Sequence, residues 1–391
     1  MPRFLSLLIF LSVGTLIISS IHYYLWVRIV KDAVFNVTYR NIGTYLFIFF
    51  AISFPFSIIL SRFLSLKYSY PILWLSYLWL GIMMLFFFSF LFTDLLKVIY
   101  YIFTKLLNSE TFIIDIERRQ FISRFIASGT SAIVLVSTGI AIKNWYSKAV
   151  VKKIKIQLSE LPDIFKGFKI VQISDIHMGQ MMTGKGLKEI VDIVNNLKPD
   201  LIAITGDLVD GSTSQLSDDV SFIENLKAEH GVYFVTGNHE YYSGVEKWTK
   251  QIEKFNIKVL QNESVMIQKE NDYFYLVGVT DHEAKRFGKA HAPDFKKAFS
   301  GLDTARKKIL LAHQPKDVRP ASEYGTDLVL SGHTHGGQIW PFNYLVYLQQ
   351  PYLKGSYQYK KTKLYVNQGT GTWGPPMRLG SFNEITEIVL T

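Results

Sequence analysis

The chain has 391 residues, a formal net charge of +10 and no cysteine. The length suits two domains, and the absence of cysteine excludes a disulfide framework or a thiolate metal site. Apolar residues make up 49% of the chain, and most of the excess lies before Lys143.

The N-terminal third contains four apolar segments, near residues 4–27, 42–60, 69–92 and 123–142. Each of the first three exceeds the roughly 18 apolar residues that suggest a membrane span, and the fourth is richer in small residues. The first segment is too long for the apolar core of a cleaved signal peptide. The pattern predicts an all-α membrane domain over residues 1–145, with about four transmembrane helices in a multi-pass protein of the cell membrane. Given these spans, the basic charge favours an anionic bilayer surface over nucleic acid as the partner.

The segment from Thr93 to Leu107 is apolar but is interrupted by Asp94, Lys97 and Lys105. These charges predict an interfacial helix, with a broken extra span as the alternative.

The orientation in the membrane depends on "DIERRQFISRF", where Arg118 and Arg119 precede the fourth span. They form either the ordinary positively charged flank of a span or a motif like a twin-arginine export signal. Such a signal usually lies at the start of a chain, whereas this motif lies inside it. Both interpretations put the arginines in the cytoplasm and everything after the fourth span outside it. The lysine cluster that follows this span argues for the opposite orientation: Lys143, Lys148, Lys152, Lys153 and Lys155.

From about Gln157 the pattern changes to alternating strands and helices. Two stretches have helical periodicity, 186–197 and 244–255. Short apolar runs bounded by turn residues predict six strands, at 168–174, 200–206, 231–237, 273–279, 307–313 and 327–333. This alternation predicts an α/β layered domain over residues 146–391, in which functional sites gather at the carboxyl ends of strands.

Polar side chains that bind divalent ions follow these strands. They are Asp175 and His177, Asp207, Asn238 and His239, His313, and finally His333 with His335. Any one of them occurs readily by chance, but the whole ordered series, each member at a strand end, predicts a metal site at one edge of the sheets.

The series "DIH", "GDLVD", "GNHE", a later histidine and "GHTH" resembles the signature of the calcineurin-like metallophosphoesterases, over Lys169 to about Leu390. The strings "GHTHGGQI" and "GTGTWGPPMRLGSFNEIT" are similar to those of its bacterial membrane-associated branch, some members of which carry a twin-arginine signal or N-terminal spans. The resemblance implies a four-layer αββα sandwich and a metal-dependent phosphoric ester hydrolase in which a hydroxide held between two ions attacks the phosphoester.

The resemblance also implies a role for each site residue. Asp175, His177 and His335 would bind one ion. Asn238, His313 and His333 would bind the other, with Asp207 bridging the pair. His239 would face the substrate and act on the developing charge or the leaving group. Asp210 is expected to orient a ligand histidine, with a simple turn or helix-cap aspartate as the alternative. The nitrogen and oxygen donors suit Mn, Fe, Zn or Ni and do not select among them.

The expected substrate is a phosphoester, with a phosphodiester favoured, and a lipid-linked or envelope compound fits the membrane domain. A pyrophosphatase for a UDP-linked acylated sugar is the alternative if the site faces the cytoplasm, and a non-catalytic binding protein is the remoter one. No nucleic acid is expected, because no basic stripe interleaved with aromatics lies near the motifs. The aromatic stretch Ile339 to Tyr359 predicts either a packed hairpin or an apolar flap that contacts the bilayer or an acyl chain. The sequence leaves the oligomeric state open.

Overall fold

A computed structural model of the chain describes residues 3–34, 36–61, 63–64, 66–107, 115–179 and 181–391. The chain divides into two compact units. The helical unit extends to Ile142 and includes Pro375–Met377, and the second unit comprises Lys143–Gly374 and Arg378–Thr391.

The helical unit consists of helices that are long and apolar enough to cross a membrane. They are α1 (Arg3–Trp26), which continues as a π-helical turn (Val27–Lys31), α2 (Val37–Ser61), α3 (Leu66–Leu106) and α4 (Ile116–Tyr146). The four apolar helices expected from the sequence are confirmed. A polar contact joins α1 to α3: His22 Nδ1 donates to the carbonyl of Ile18 at 2.8 Å, so its Nε2 accepts from Trp79 Nε1 at 3.0 Å.

Helix α3 differs from the prediction because it runs through the segment where a separate interfacial helix was expected. Its 41 residues correspond to about 61 Å at about 1.5 Å per residue, roughly twice the thickness of a bilayer's hydrocarbon core. Asp94 does not end the helix, because its carboxylate accepts hydrogen bonds from Arg28 and from the Tyr24 hydroxyl, both at 2.6 Å. The expectation of an independent helix over Thr93 to Leu107 is therefore wrong.

The second unit contains two six-stranded sheets within the described residues. The first has the order β1-β12-β2-β3-β4-β5 and the second β10-β11-β9-β8-β7-β6. Strands β2 to β5 pair in parallel, as do β7, β8, β9 and β11. The strands are β1 (Val150–Ile156), β2 (Lys169–Ile173), β3 (Leu201–Ile204), β4 (Val232–Phe234), β5 (Lys258–Val259), β6 (Glu263–Lys269), β7 (Asp272–Gly278), β8 (Lys308–Leu311), β9 (Leu328–Ser331), β10 (Gly355–Tyr359), β11 (Thr362–Val366) and β12 (Glu384–Leu390).

The six strands predicted from the sequence are confirmed as β2, β3, β4, β7, β8 and β9. Strands β3, β8 and β9 are buried along their whole length, as expected of parallel strands covered on both faces. Their continuous apolar runs made them recognisable.

The main core lies between the two sheets, where Ile170 and Ala203 of the first sheet cluster with Ile309 and Leu330 of the second. A second cluster joins the outer face of the second sheet to a helix through Leu310 and Val318, among others. The helices of this unit are α5 (Gly184–Asn196), α6 (Thr213–Val220), α7 (Asn238–Ser243), α8 (Val245–Lys254), α9 (Phe295–Ala298), α10 (Val318–Glu323) and α11 (Asn343–Val346). The arrangement is the expected α/β sandwich of the calcineurin-like type.

Candidate metal centre

The structure brings the predicted site residues together at the carboxyl ends of strands from both sheets. The first sheet contributes residues that follow β2, β3 and β4, and the second sheet contributes those that follow β8 and β9. Five of them have a left-handed backbone, Asp175 (φ 53°), His177 (φ 54°), Asp207 (φ 53°), His333 (φ 72°) and His335 (φ 50°). For a residue with a Cβ this conformation costs about 1–2 kcal/mol, and such strain concentrates at functional sites.

One group of potential ligands consists of Asp175, His177 and His335, whose donor atoms lie within 4.8 Å of one another. The Nε2 atoms of His177 and His335 are 3.1 Å apart, and His335 Nε2 is 3.6 Å from Asp175 Oδ1. All three side chains are buried. Two imidazole nitrogens and a carboxylate oxygen that converge in this way match the donor set of a transition-metal ion.

A second group consists of Asp207, His313 and His333. Here His313 Nε2 is 3.1 Å from Asp207 Oδ2 and 3.1 Å from His333 Nδ1. Asn238 lies at the start of α7, directly after Gly237, whose backbone approaches the Asp207 carboxylate closely. The Oδ1 atom of Asn238 is buried without a hydrogen-bond partner among the described residues. A buried amide oxygen without a partner is unfavourable in a protein alone, so an ion that accepts this oxygen as a ligand would remove the cost.

Asp207 connects the two groups. Its Oδ2 atom lies 3.1 Å from His313 Nε2 in the second group and 3.9 Å from His177 Nε2 in the first. Its Oδ1 atom accepts a hydrogen bond from the backbone N–H of His239 at 2.9 Å. One carboxylate oxygen is therefore within reach of both groups.

The ligand histidines are oriented by their other ring nitrogens. His313 Nδ1 donates to the Thr205 carbonyl at 2.8 Å, and His177 Nδ1 donates to Asp210 Oδ2 at 3.1 Å. Both contacts fix the tautomer that leaves Nε2 as the electron-pair donor. Burial lowers the pKa of His335, and burial together with His313 lowers the pKa of His333 to about 3. Both side chains are therefore neutral imidazoles, the form that binds metal.

His239 and Asp210 form a pair beside the first group. Asp210 Oδ1 contacts His239 Nδ1, while Asp210 Oδ2 contacts His177. Although burial lowers the pKa of His239, the charges of Asp207 and Asp210 raise it to about 9. The distances within the set His177, Asp210 and His239 would also allow a metal ion. However, the Nδ1 atoms of the two histidines contact different oxygens of Asp210, as expected of two hydrogen bonds rather than of a metal site.

The His239 ring is flanked by aromatic side chains on two sides. Its centroid lies 5.3 Å from that of Tyr242 and 5.8 Å from that of Trp373. Tyr242 and Trp373 are both more than half exposed. The side of the site next to His239 is therefore apolar and accessible.

Two supporting residues were not identified from the sequence. Glu240 is fully buried and accepts hydrogen bonds from the backbone N–H groups of Asp207, Leu208 and Gly237, at 3.0, 2.7 and 2.6 Å. Its position directly after "GNH" was an available signal. The other is Arg378, whose buried guanidinium donates to the carbonyls of residues 335, 368, 369 and 371. No sequence feature points to these contacts.

Two glycines are required where the backbone approaches a ligand carboxylate closely. A Cβ on Gly332 would overlap Ser174 Oγ and Asp175 Oδ2, and a Cβ on Gly237 would overlap Asp207 Oδ1. At both positions a side chain would displace a site carboxylate.

Two sheets packed face to face, with histidines, aspartates and an asparagine at their strand ends, define the class of metal-dependent phosphohydrolases. The sequence model of the calcineurin-like phosphoesterase family matches residues 168–337. A metallophosphoesterase of Helicobacter pylori is 38% identical over 275 residues, which cover 70% of this chain and 72% of the relative. The chain belongs to the calcineurin-like metallophosphoesterase family.

Two vertebrate relatives are transmembrane proteins with a metallophosphoesterase domain. The one from Danio rerio is 39% identical over 61% of this chain, and the one from Bos taurus is 38% identical over 68% of it. The matches span 56% and 64% of these two relatives, less than two thirds of either. Together with the four apolar helices, these relatives support association with a membrane.

Proposed function

We propose that the chain is a membrane-anchored phosphoesterase that binds two divalent ions and hydrolyses phosphodiesters. One observation carries the proposal: Asp207 Oδ2 lies within 3.1 Å of His313 Nε2 and within 3.9 Å of His177 Nε2, so one oxygen can serve both ligand groups. A single-ion site would not need a carboxylate between two separate histidine groups.

The proposal assigns four protein ligands to each ion. One ion would be held by Asp175, His177 and His335, the other by Asn238, His313 and His333, and both by Asp207. The unpartnered Asn238 Oδ1 supports its place in this set. When bound, two such ions supply an activated water and neutralise charge on the phosphoryl oxygens.

The protein's own contribution to the leaving-group side is His239. Asp210 engages its Nδ1, so Nε2 is the ring nitrogen left to donate to a substrate oxygen. The Asp210 carboxylate also holds His177 at 3.1 Å. Asp210 therefore positions a ligand and His239 together, and its loss would disturb both metal retention and proton donation.

The bridging role of Asp207 can be tested by measuring metal content and turnover on the purified full-length protein. After chelation, Mn, Fe, Zn or Ni is added back, and bound metal per chain is measured together with hydrolysis of phosphomonoesters, phosphodiesters and nucleotide-linked lipids. We expect the unaltered protein to retain two ions and to favour a phosphodiester. Asp207→Ala should retain fewer ions and lose activity with every metal.

The matched control is Asp192→Ala, because Asp192 on α5 is exposed and pairs with Lys188 at 2.7 Å. It should bind metal and turn over substrate like the unaltered protein. If Asp207→Ala kept two ions and normal activity, the bridging assignment would be wrong.

We further propose that residues 1–145 form the membrane anchor and that residues 146–391 form an extracytoplasmic catalytic domain. Arg118 and Arg119, which precede the fourth span, support this orientation. The test is a topology reporter fused after Thr391. A cytoplasmic signal would contradict the external placement and would favour the pyrophosphatase acting on a UDP-linked acylated sugar.

A further inference from the structure

The second unit exposes a group of large apolar side chains between the "GHTHGG" segment and β10. We call residues 340–348 the apolar lobe. Trp340 is 56% exposed, Tyr344 62%, Leu345 45%, Tyr347 46% and Leu348 84%. Single exposed apolar residues are common on soluble proteins, but several contiguous ones mark a surface that contacts a partner.

The lobe is suited to an apolar environment in its charge and in its backbone. No charged residue or histidine occurs from Ile339 to Leu353. The backbone N–H groups of Tyr344 to Gln350 all donate to carbonyls within the lobe, at 2.9–3.3 Å. Moving the lobe out of water would therefore transfer no charge, and no unpaired N–H group of residues 344–350, into the apolar phase.

The base of the lobe is fixed to the domain. The buried Gln350 side chain donates to Gln314 Oε1 at 3.1 Å, and the Thr334 hydroxyl donates to the carbonyl of Leu353 at 2.5 Å. At its start, Trp340 N donates to the carbonyl of Leu379 at 2.8 Å. The exposed side chains are thus carried on an anchored base.

Hydrogen bonds join the end of α4 to residues 378–383, the loop whose Leu379 carbonyl accepts from Trp340 N. Asn144 Nδ2 donates to the carbonyl of Arg378, and Asn383 Nδ2 donates to the carbonyl of Trp145, both at 3.1 Å. Only residues 147–149 separate α4 from β1. Because α4 carries the last apolar segment, the chain itself tethers the second unit, and with it the lobe, to the lipid surface.

From these features we propose that the apolar lobe inserts into the interfacial region of the lipid bilayer. Tryptophan and tyrosine are the side chains that favour this region, and Lys354, the first charge after the lobe, suits anionic headgroups. A second copy of the chain fits less well, because a stable dimer buries about 800 Å² and some 20–30 residues per partner, whereas the lobe presents five exposed side chains.

The absence of cysteine allows the proposal to be tested with one introduced thiol. Leu348→Cys carries an environment-sensitive fluorophore in the full-length protein, reconstituted into vesicles of phosphatidylcholine and phosphatidylglycerol in equal amounts. Met266→Cys is the matched control, because Met266 on β6 is an apolar residue that is 50% exposed. Lipids with a nitroxide near the headgroup and aqueous iodide serve as the two quenchers.

At a depth of about 5–10 Å, we expect the label at residue 348 to lose at least about half of its fluorescence to the lipid nitroxide. It should be protected from iodide, and the label at residue 266 should show the opposite behaviour. Equal iodide quenching at both sites would overturn the proposal. So would protection from both quenchers with self-association on cross-linking, which would assign the lobe to a second copy.

Tyr344→Cys is a second reporter in case the first variant does not fold, and it should give the same result as Leu348→Cys. The readout needs neither bound metal nor turnover. Failure of the metal-site proposal would therefore leave this test unaffected, and the reverse also holds.

Discussion

Replacing Arg378 with methionine tests whether a buried cation holds the loops behind the candidate metal centre. Its side chain is fully buried. Among the described residues no carboxylate lies within ion-pair distance of it, and burial lowers its pKa to about 10. Most of its partners are instead backbone carbonyls: that of Gln368 at 3.0 Å, that of Gly369 at 3.2 Å, that of His335 at 3.4 Å and that of Gly371. The Thr372 and Ser381 hydroxyls also accept from it, both at 3.3 Å. Methionine fills similar space but donates no hydrogen bond.

The expected loss follows from the number of carbonyls that would lack a donor. Each buried polar group left without a partner costs about 1–3 kcal/mol, and part of this is recovered by relaxation, so we expect Arg378→Met to lower the free energy of unfolding by about 3–5 kcal/mol. The partly exposed ion pair of Arg306 with Asp272, at 2.6 Å, provides a control. Arg306→Met should cost at most about 1 kcal/mol.

Hydrogen exchange of the amides in β8 and β9 is the suitable assay, because it reports on this unit without contributions from the helical unit. Both variants are measured with a chelator present, which removes any effect of metal binding. At about 1.4 kcal/mol per factor of ten, Arg378→Met should reduce protection by roughly two to four orders of magnitude. A reduction no larger than that of Arg306→Met would refute the reasoning.

Three further predictions concern the site and its surroundings. Gly332→Ala should lose bound metal because its Cβ displaces Asp175. Gly301→Ala is the control, because no atom lies within 4 Å of the new Cβ. It should keep its metal despite a strained backbone, and equal metal retention by Gly332→Ala and Gly301→Ala would contradict the prediction. Trp373→Ala should lower the preference for aryl over alkyl phosphodiesters about 2–10-fold, measured as kcat/KM. Trp340→Ala, which also removes an exposed tryptophan, should leave that ratio unchanged. A shift of the same size would show that the effect does not come from the position of Trp373 beside the His239 ring. Burial raises the pKa of Asp281 to about 6. The folded state therefore binds this proton more tightly than the unfolded state, and stability falls between about pH 4 and pH 6, by about 3 kcal/mol in total. Asp281→Asn should reduce this dependence of the free energy of unfolding on pH, measured by hydrogen exchange with chelator present. If the variant and the unaltered protein had parallel pH profiles, Asp281 would not be the cause of the dependence.

The sequence was most informative where function depends on residues that follow buried strands. Asp207 and His313 could be identified because each comes within a few residues of the end of a continuous apolar run. Parallel strands end at the same edge of a sheet, so side chains that follow such runs were expected to meet there. Their grouping around two ions came from the family resemblance. Distances such as 3.9 Å from Asp207 Oδ2 to His177 Nε2 depend on how the two sheets pack, which no local pattern encodes.

Strands with charged faces were harder to predict. In β1, "VVKKIKI", the lysines suggested only a basic cluster after the fourth span, yet this segment pairs in parallel with β12 from Val150 to Ile156. Lys153 extends to Glu387 at 3.0 Å. The partner strand lies more than two hundred residues away in sequence, so the pairing depends on tertiary structure rather than on local propensity.

Supporting residues escaped sequence analysis for a different reason. Glu240 and Arg378 both act on backbone groups, and every residue except proline has the same backbone donor and acceptor. A side chain that binds the N–H of Asp207 or the carbonyl of Gly369 therefore leaves no complementary residue type in the sequence. Such contacts can be recognised only once the loops are placed in space.

Charge balance gives an independent argument for the two-ion proposal. Three carboxylates are buried at the candidate site, those of Asp175, Asp207 and Glu240. Among the described residues the only buried guanidinium is that of Arg378, and it donates to backbone carbonyls. Buried carboxylates are stable when cations or several hydrogen-bond donors compensate them. Glu240 has three backbone donors, whereas Asp175 accepts from the backbone N–H of His333 and Asp207 from that of His239. Burial keeps His333 and His335 neutral. Although burial lowers the pKa of His313, the charge of Asp207 raises it well above its usual value, so without metal a proton on this histidine balances the carboxylate. Divalent ions between these side chains would supply the positive charge in place of such protons.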